Sequence, residues 1–240
     1  IGQDHENYIK YKKLGGKNFN KEINLKHFLP APKMNIKNEE ELKVSINQNL
    51  ILLFASIHED IEDKAAILSH IKTKKINPDL LTIVVPRHPK KINNFLKIAK
   101  KYKLNTILRS SKNLPNSSTD IYIGDTIGEL GSFYKMADIC FIGGSLTNRG
   151  GHNLIEPALE KCVILFGPDV SNHMVSAKKL LDNHAAIQIN SINELVEKIR
   201  TLSKNKIKIK QLKNKAYETI KKMPSPTKEA LKAIKPILKI

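Results

Sequence analysis

The stretch best suited to chemistry is residues 138–157, in which a short apolar run is followed by glycines and polar side chains. The run at 139–142 (Ile-Cys-Phe-Ile) is typical of a buried strand. A strand that leads into glycines, polar donors and a helix start predicts an anion site, because glycines admit a ligand close to the backbone and helix N-termini present free N–H groups. A tight structural turn is the alternative. The candidate ligand-binding residues here are Gly143, Gly144, Ser145, Arg149, His152, Asn153 and Glu156.

Two other apolar runs are followed by polar residues of the same kind. Ser56 and His58 come after the run at 50–55, and either side chain could donate to a phosphate or a sugar, although Ser56 could equally cap a helix. Arg87 and His88 come after the run at 80–85 and stand between two prolines. A rigid loop of this kind pre-organises an arginine for an anion or a base edge. A plain surface arginine is the alternative.

A third loop, residues 124–130 (Gly-Asp-Thr-Ile-Gly-Glu-Leu), joins a short apolar run to a helix start. Its backbone amides could contact a nucleobase, or its polar side chains could only cap the helix. Further along, Glu156 could accept two hydrogen bonds from the vicinal hydroxyls of a ribose, although the helix dipole alone favours an acid at that position. The candidate residues of the third loop are Gly124, Asp125, Thr126, Gly128 and Glu129.

The elements that must position these loops form a repeated strand–helix pattern, which predicts an α/β fold: a Rossmann-like parallel sheet with helices on both faces. The strand segments are continuous apolar runs, as expected when both faces of a sheet are buried. Ligands of such sheets lie beyond the carboxyl ends of the strands, so we expect the loops to converge on one rim. Strands are predicted at 50–55, 80–85, 104–108, 121–123, 139–142, 163–166 and 186–189, and helices at 36–47, 57–72, 91–102, 129–136, 152–161, 173–182, 192–202, 207–222 and 227–238.

Shifts in composition divide the chain into three predicted parts. Residues 1–35 contain a helix end, a short strand near 24–28 and a proline-rich linker, and we interpret them as the end of a preceding domain. Residues 36–205 form the predicted Rossmann-like domain, and residues 206–240 form basic C-terminal helices. Because the first residue is not methionine and no signal-peptide pattern follows it, we expect the chain to begin inside a longer protein.

The charge of the chain is strongly basic, with a formal net charge of +18. Most of the excess lies in residues 200–240, where Glu218 and Glu229 are the acids. This suggests a polyanionic partner, either nucleic acid or an anionic membrane surface, although a general lysine-rich bias would produce the same excess. Nucleic acid is not expected, because basic residues are not interleaved with aromatic ones.

Several classes of protein are disfavoured by the remaining composition. No apolar run approaches 18 residues, so no transmembrane helix is predicted. Cysteine and histidine do not have zinc-ligand spacing and no phosphate-binding Gly-x-x-x-x-Gly-Lys loop is present, so a metal is not implied. Cys140 and Cys162 lie in apolar runs and are predicted to be buried free thiols, which fits a reducing compartment.

Five motifs, taken in order, resemble those of the 3-deoxy-D-manno-octulosonate (Kdo) transferases of lipid A assembly. They are residues 56–59 (Ser-Ile-His-Glu), 86–89 (Pro-Arg-His-Pro), 124–130, 141–157 with its Gly-Gly-Ser and Gly-Gly-His-Asn-Leu-Ile-Glu-Pro runs, and 166–168 (Phe-Gly-Pro). Residues 24–26 resemble the interdomain segment of that family. Each motif alone is weak, whereas the ordered set is specific.

The resemblance implies a fold and an activity. The family has the GT-B fold, two Rossmann-like domains around a cleft, and transfers Kdo from CMP-Kdo to a phosphorylated lipid A precursor with inversion and without a metal or cofactor. This chain would be the C-terminal, donor-binding half, working with an N-terminal GT-B domain at the cytoplasmic face of the bacterial inner membrane. The general base of the family lies in that N-terminal domain, so no catalytic residue is expected in this chain.

The resemblance also implies roles for individual residues. Arg87 and the 124–130 loop would contact the cytidine, residues 143–145 the phosphate, and Asn153 and Glu156 the phosphate and ribose side. The sequence departs from the family pattern after residue 168, where the segment 169–173 keeps Asn172 as the last expected donor contact. Two other classes stay open: another GT-B enzyme, such as a UDP-sugar transferase or epimerase, and a non-catalytic basic module that binds anionic lipid or nucleic acid.

Overall fold

The computed structural model describes residues 5–15, 32–46, 50–58, 60–223, 230–232 and 235. The chain divides into two compact units, one of Ile1–Pro30 with Lys222–Ile240 and one of Ala31–Lys221. The smaller unit contains helix α1 (His5–Lys13), where a helix end was predicted. The strand predicted near 24–28 and most of the helix predicted at 227–238 lie outside the described residues.

The larger unit is built on one sheet of parallel strands, as predicted. The order across the sheet is β3-β4-β2-β1-β5-β6-β7, and every neighbouring pair is parallel. The central strands are buried along nearly their whole length because helices cover both faces. The strands are β1 (Leu50–Ile57), β2 (Leu80–Pro86), β3 (Thr106–Leu108), β4 (Ile121–Ile123), β5 (Ile139–Ile142), β6 (Val163–Phe166) and β7 (Ala186–Gln188).

The helices of this unit lie close to the predicted positions, and the largest differences are at two N-termini. The helix predicted from residue 57 begins at Ile61, because β1 continues to Ile57. The helix predicted at 152–161 spans only Ile155–Leu159, because the side chain of Asn153 accepts a hydrogen bond from the Ile155 amide in a turn before it. The helices are α2 (Ile36–Ser45), α3 (Ile61–Lys74), α4 (Asn93–Lys101), α5 (Leu130–Met136), α6 (Ile155–Leu159), α7 (Met174–Asp182), α8 (Ile192–Ser203) and α9 (Lys206–Lys221).

The core lies between the sheet and two helical layers. Helix α3 contacts α4 and α8, while α6 contacts α5 and α9. Phe54 of β1 and Phe141 of β5 are fully buried, and their ring centroids lie 5.4 Å apart. Cys140 and Cys162 are buried free thiols, as predicted, and burial raises the pKa of both. No helix in the described part of the chain is long and apolar enough to span a bilayer.

Helix α9 belongs to the sheet-containing unit, whereas the sequence placed it in a separate C-terminal part. It contacts α6, α7, α8 and β6 and buries an apolar stripe against them. The periodicity of its sequence predicted the helix. Its many lysines indicated an exposed helix, so the extent of its packing against the sheet-containing unit was not predicted. The buried members of the stripe are Ile209, Leu212, Ala216 and Ile220.

Candidate functional site

The loops selected from the sequence lie at one edge of the sheet, as the parallel topology requires. Strand β1 pairs with β2 on one side and with β5 on the other, so the strand order reverses between β1 and β5. A crevice opens at the carboxyl ends of strands where the order reverses, and open α/β sheets bind ligands there. His58 follows β1 at this point, and Gly143 and Gly144 follow β5.

The end of β1 is distorted where it meets the loop after β5. Its register shifts between Ala55 and Ile57, and Ser56 has a φ of 55°. A Cβ atom on Gly143 would lie 2.4 Å from the carbonyl oxygen of Ser56 and 2.6 Å from the Cα of Ile57. Gly143 is therefore required by the close approach of two backbones, and its role in this conformation is steric.

A buried carboxylate that sequence reasoning did not select organises the same two loops. Glu62, in the first turn of α3, is fully buried. Its Oε2 accepts hydrogen bonds from the amides of His58 at 2.8 Å and Gly144 at 2.9 Å, and its Oε1 accepts from Leu146 at 3.1 Å. Burial raises the pKa of Glu62, while these amide hydrogen bonds, with one from Ser145, oppose that rise. The carboxylate of Glu62 thus accepts hydrogen bonds from the backbone amides of both the loop after β1 and the glycine-rich loop after β5.

The donors of residues 143–145, which the resemblance assigns to a phosphate, are engaged within the protein in this conformation. The amide of Gly144 is bound to Glu62. The hydroxyl of Ser145 is fully buried, donates to the Ile142 carbonyl and accepts from the Gly167 amide at 2.7 Å. In this conformation the loop is a structural junction between β5, β6 and α3, because an internal carboxylate satisfies its donors.

Histidines from three separate loops meet directly above Gly144. The Nε2 atoms of His58 and His152 lie 3.2 Å apart, and the two rings stack with centroids 5.4 Å apart and planes 8° from parallel. The ring of His88 meets that of His58 edge-on at 5.9 Å. A Cβ atom on Gly144 would lie 3.3 Å from the His152 ring, so a side chain there would press on the histidines. These contacts bring together residues 94 positions apart in the sequence.

The electrostatics of this cluster keep His152 uncharged. Burial first, and then the nearby His58, Arg87, His173 and His88, together lower the pKa of His152 to about 4. The pair can share one proton in the hydrogen bond between the Nε2 atoms, because the second imidazole must then act as the acceptor. His152 is therefore neutral at neutral pH, and Arg87 is a permanent cation near it.

The 124–130 loop is braced by its own acids. Asp125 accepts hydrogen bonds from the Ser110 amide at 2.9 Å and from the Ser110 hydroxyl. Arg109, which sequence reasoning missed, binds Glu129 in a bidentate ion pair with contacts of 3.0–3.3 Å, and Thr126 donates to the same carboxylate. The side chains of Asp125 and Glu129 are thus engaged within the protein, but they do not cap α5, whose N-terminus has no side-chain hydrogen bond.

Two glycines of this rim, Gly124 and Gly128, differ in the space around their Cα atoms. Gly124 is buried, and a Cβ atom there would meet the ring of Phe133 at 2.7 Å. Gly128 has a φ of +89° and open space around it, and the adjacent Ile127 is 90% exposed. Gly128 therefore supplies an accessible stretch of backbone beside the crevice.

Residues that follow β6 hold the second half of the glycine-rich segment, around residues 149–150, in place by hydrogen bonds. The amide of Gly150 donates to Asp169 at 2.6 Å, and the side-chain amide of Asn172 donates to the Arg149 carbonyl at 3.2 Å. A Cβ atom on Gly150 would lie 2.1 Å from the Asn172 side chain, so this contact requires glycine. Asn172 acts here as a brace for the loop, while the side chain of Arg149 is exposed.

Asn153 and Glu156 face each other at the start of α6. The Asn153 side-chain amide donates to Glu156 Oε1 at 2.9 Å, and burial raises the pKa of Glu156. Both residues are half-buried, so they can contact solvent or a ligand. Among the described residues, no group of three or more histidines, cysteines and acids is arranged to hold a metal ion.

The fold and the position of this crevice define the class of protein. No family model matches the chain. WaaG, a glycosyltransferase involved in lipopolysaccharide biosynthesis, shares the fold with a TM-score of 0.56 and 13% identity over 85% of this chain. The C-terminal domain of a group 1 glycosyltransferase from Francisella tularensis shares it with a TM-score of 0.54 and 13% identity over 82% of this chain. The larger unit thus has the Rossmann-like fold of one half of a GT-B protein.

Sequence relatives identify the family. The chain is 36% identical to the 3-deoxy-D-manno-octulosonic acid transferase of Rickettsia typhi over 201 residues, which is 82% of this chain and 43% of that protein. It is 35% identical to the Rickettsia felis enzyme over 98% of this chain and 50% of that protein, and 30% identical to the Haemophilus influenzae enzyme over 90% and 51%. The chain belongs to the 3-deoxy-D-manno-octulosonic acid transferase family, and it spans about half the length of these relatives.

A solved structure locates the chain within that family. The C-terminal CMP-Kdo binding domain of WaaA from Acinetobacter baumannii matches with a TM-score of 0.71 and 26% identity, over 78% of this chain and 98% of that domain. The predicted parallel fold and the family resemblance are thereby confirmed.

Proposed function

We propose that this chain is the donor-binding half of a Kdo transferase and binds CMP-Kdo at the carboxyl edge of its sheet. The observation that carries the proposal is the cluster of His58, Arg87 and His152 at the reversal of strand order, within a domain similar to a CMP-Kdo binding domain. A positively charged crevice at that place suits a nucleotide phosphate.

The rest of the crevice suits the nucleoside. The exposed backbone around Gly128 presents donors for a pyrimidine edge. Asn153 and Glu156 present a half-buried amide and carboxylate to the ribose hydroxyls. Transfer is proposed to be metal-independent and inverting, with the crevice stabilising the departing CMP phosphate and a base from an N-terminal GT-B domain deprotonating the acceptor.

The same proposal includes an acceptor and a membrane. The acceptor is a phosphorylated lipid A precursor, and the chain lies at an anionic membrane surface, the cytoplasmic face of the bacterial inner membrane. Support for the membrane surface comes from the exposed lysines of α9 and from those that line a cavity of about 460 Å³ at the amino edge of the sheet, opposite the histidines. Lys213 in that cavity is bound to Asp138 at 2.6 Å, so it is structural. The other lysines that line it are Lys161, Lys206 and Lys210.

Isothermal titration calorimetry with CMP, UMP and UDP tests the nucleotide assignment. CMP is expected to bind more tightly than UMP and UDP, and Arg87→Ala is expected to weaken CMP binding about tenfold or more because charged hydrogen bonds contribute about 1.5–3 kcal/mol. Arg200→Ala is the matched control, since Arg200 pairs with Glu197 on the outer face of α8. Tighter binding of UDP than of CMP would favour another GT-B enzyme and overturn the assignment.

A further inference from the structure

Three donors of the glycine-rich loop are already engaged within the protein. The amides of Gly144 and Leu146 are bound to Glu62, and the Ser145 hydroxyl is buried between Ile142 and Gly167. Because Glu62 is fully buried and holds both loops, a phosphate could reach those amides only by displacing it. A bound phosphate would therefore meet other donors of the rim, and the charged or titratable ones nearest Gly144 are side chains.

Those side chains are Arg87 and the histidines, of which His152 is uncharged at neutral pH. His152 has a pKa of about 4 in the ligand-free crevice, chiefly because of burial. The Nε2–Nε2 contact of 3.2 Å with His58 allows one proton between the rings.

We infer that the His58–His152 pair recognises the nucleotide phosphate by taking up a proton from solvent as the phosphate binds. This inference rests on the proposed function, since the ligand is a cytidine nucleotide. In the bound state each imidazole directs an N–H group at the phosphate, and the hydrogen bond between the two rings is replaced by two bonds to phosphate oxygens. The proton comes from the buffer, and no other bond is made or broken.

The charges around the pair fit this coupling. A unit negative charge at about 4 Å, at the effective dielectric of a protein surface, raises a histidine pKa by about 3. That brings His152 from about 4 to about neutral pH. The groups that face the pair are Arg87, His88 and Lys91 after β2, Glu62 and Asp63 of α3, and His173 before α7.

The test is calorimetry of CMP binding at pH 7.0 in buffers of different ionisation enthalpy. The slope of observed enthalpy against buffer enthalpy gives the protons taken up for each CMP bound. At this pH the CMP phosphate is mostly a dianion, since its second pKa is about 6. We expect an uptake of about 0.5–1 proton, and an association constant that falls several-fold, up to tenfold, for each pH unit between 6.5 and 8.5.

Variants identify the proton carrier. His152→Gln and His58→Gln are each expected to abolish the uptake and to weaken CMP binding. His184→Asn is the matched control, because His184 is exposed on a turn away from the crevice and has a φ of 51°, which asparagine tolerates. Its uptake should equal that of the wild type. Histidine ring NMR should show the Nε2 resonances of His58 and His152 changing to the protonated form when CMP is added.

The outcomes are separable. If CMP binds without proton uptake, or if the uptake persists in both glutamine variants because Glu62 carries the proton, the inference is overturned while the proposed function stands. If CMP does not bind, the proposed function is overturned and the inference falls with it. Uptake that disappears in either histidine variant and survives in His184→Asn supports both.

Discussion

The carboxylate of Glu62 accepts a hydrogen bond from the Gly144 amide at 2.9 Å, across 82 positions of sequence. This bond ties the first turn of α3 to the loop after β5, on either side of the reversal in strand order. It makes an internal acid the anchor of a loop that otherwise has the composition of a phosphate-binding loop. Glu62 therefore fixes the positions of the loops after β1 and β5, and the histidines lie above the second of these loops.

Removal of this anchor is expected to be costly. Glu62→Ala would leave the buried amides of His58, Gly144 and Leu146 without their acceptor, and each unsatisfied buried group costs about 1–3 kcal/mol. We expect the free energy of unfolding to fall by about 3 kcal/mol or more in urea titrations. Glu197→Ala, at an exposed position of α8, is the control and should change it by less than about 0.5 kcal/mol. Equal effects of the two variants would show that Glu62 is not an anchor.

Gly143 is expected to tolerate no side chain. In Gly143→Ala the new methyl group would meet backbone atoms of Ser56 and Ile57, which cannot move aside as a side chain can. Overpacking of this kind costs about 1–3 kcal/mol. Gly128→Ala is the comparison, because Gly128 has open space and bears only the cost of a positive φ, about 1 kcal/mol. Urea unfolding of both variants measures the difference, and a smaller loss for Gly143→Ala would contradict the close approach.

The ion pair of Arg109 with Glu129 is expected to hold the 124–130 loop in its binding conformation. Arg109→Met would leave a largely buried carboxylate without its partner, so we expect a loss of about 3 kcal/mol in stability and weaker CMP binding. The double variant Arg109→Met/Glu129→Gln should recover part of the stability, because the unpaired charge is then removed. Urea unfolding and CMP calorimetry of both variants provide the test, and no recovery in the double variant would argue against the pair.

Stability at low pH should depend on Asp120. The pKa of Asp120 is about 2, below its ordinary value, chiefly because of His70, whose Nε2 lies 3.5 Å from Oδ1 of Asp120. A hydrogen bond from the Asn105 amide and the charge of Lys74 lower the pKa in the same direction. Because the folded-state pKa is depressed, the stabilisation is present above about pH 4 and is lost as the pH falls from 4 to 2. It amounts to about 2 kcal/mol.

The measurement is the unfolding free energy from pH 6 to pH 2.5 in the wild type and in Asp120→Asn. The variant should lose stability at pH 6 and show a shallower decline toward low pH. Asp182→Asn, at an exposed position of α7, should follow the wild-type curve. A variant curve parallel to that of the wild type would refute the role of Asp120.

The exposed lysines of α9 are expected to support binding to anionic membranes. Lys206→Gln/Lys210→Gln should reduce cosedimentation with vesicles of phosphatidylglycerol and phosphatidylcholine by about tenfold or more, since each lysine near an anionic surface contributes about 1 kcal/mol. Lys178→Gln/Lys179→Gln on α7 removes the same charge elsewhere and serves as the control. Equal losses in both double variants would show that net charge, and not this surface, decides binding.

The sequence predicted the sheet well for a physical reason. Strands such as β5 and β6 are buried on both faces, so their apolar runs are unbroken and end sharply at glycine. It predicted the rim for the same reason, because parallel strands fix which loops share an edge. It placed the N-terminus of α6 too early, since the Asn153 turn that delays the helix has the same residues as a helix start.

The sequence could not predict contacts between side chains that lie far apart along the chain. Glu62 lies among other acids in the first turn of α3, where an exposed acid is equally favoured by the helix dipole. Arg109 lies in a short, polar connection, and its partnership with Glu129 depends on the β3–β4 pairing. The contact of His58 with His152 requires the neighbourhood of β1 and β5. Each of these residues has an ordinary local context, so only the fold distinguishes it.

The position of CMP in a crystal of this chain soaked with the nucleotide is the decisive measurement. We expect the phosphate within hydrogen-bonding distance of His58, His152 and Arg87, with Glu62 still bound to the Gly144 amide and the ribose beside Glu156. A nucleotide bound in the cavity at the amino edge of the sheet, or a phosphate seated on the Gly144 and Leu146 amides with Glu62 displaced, would contradict this expectation.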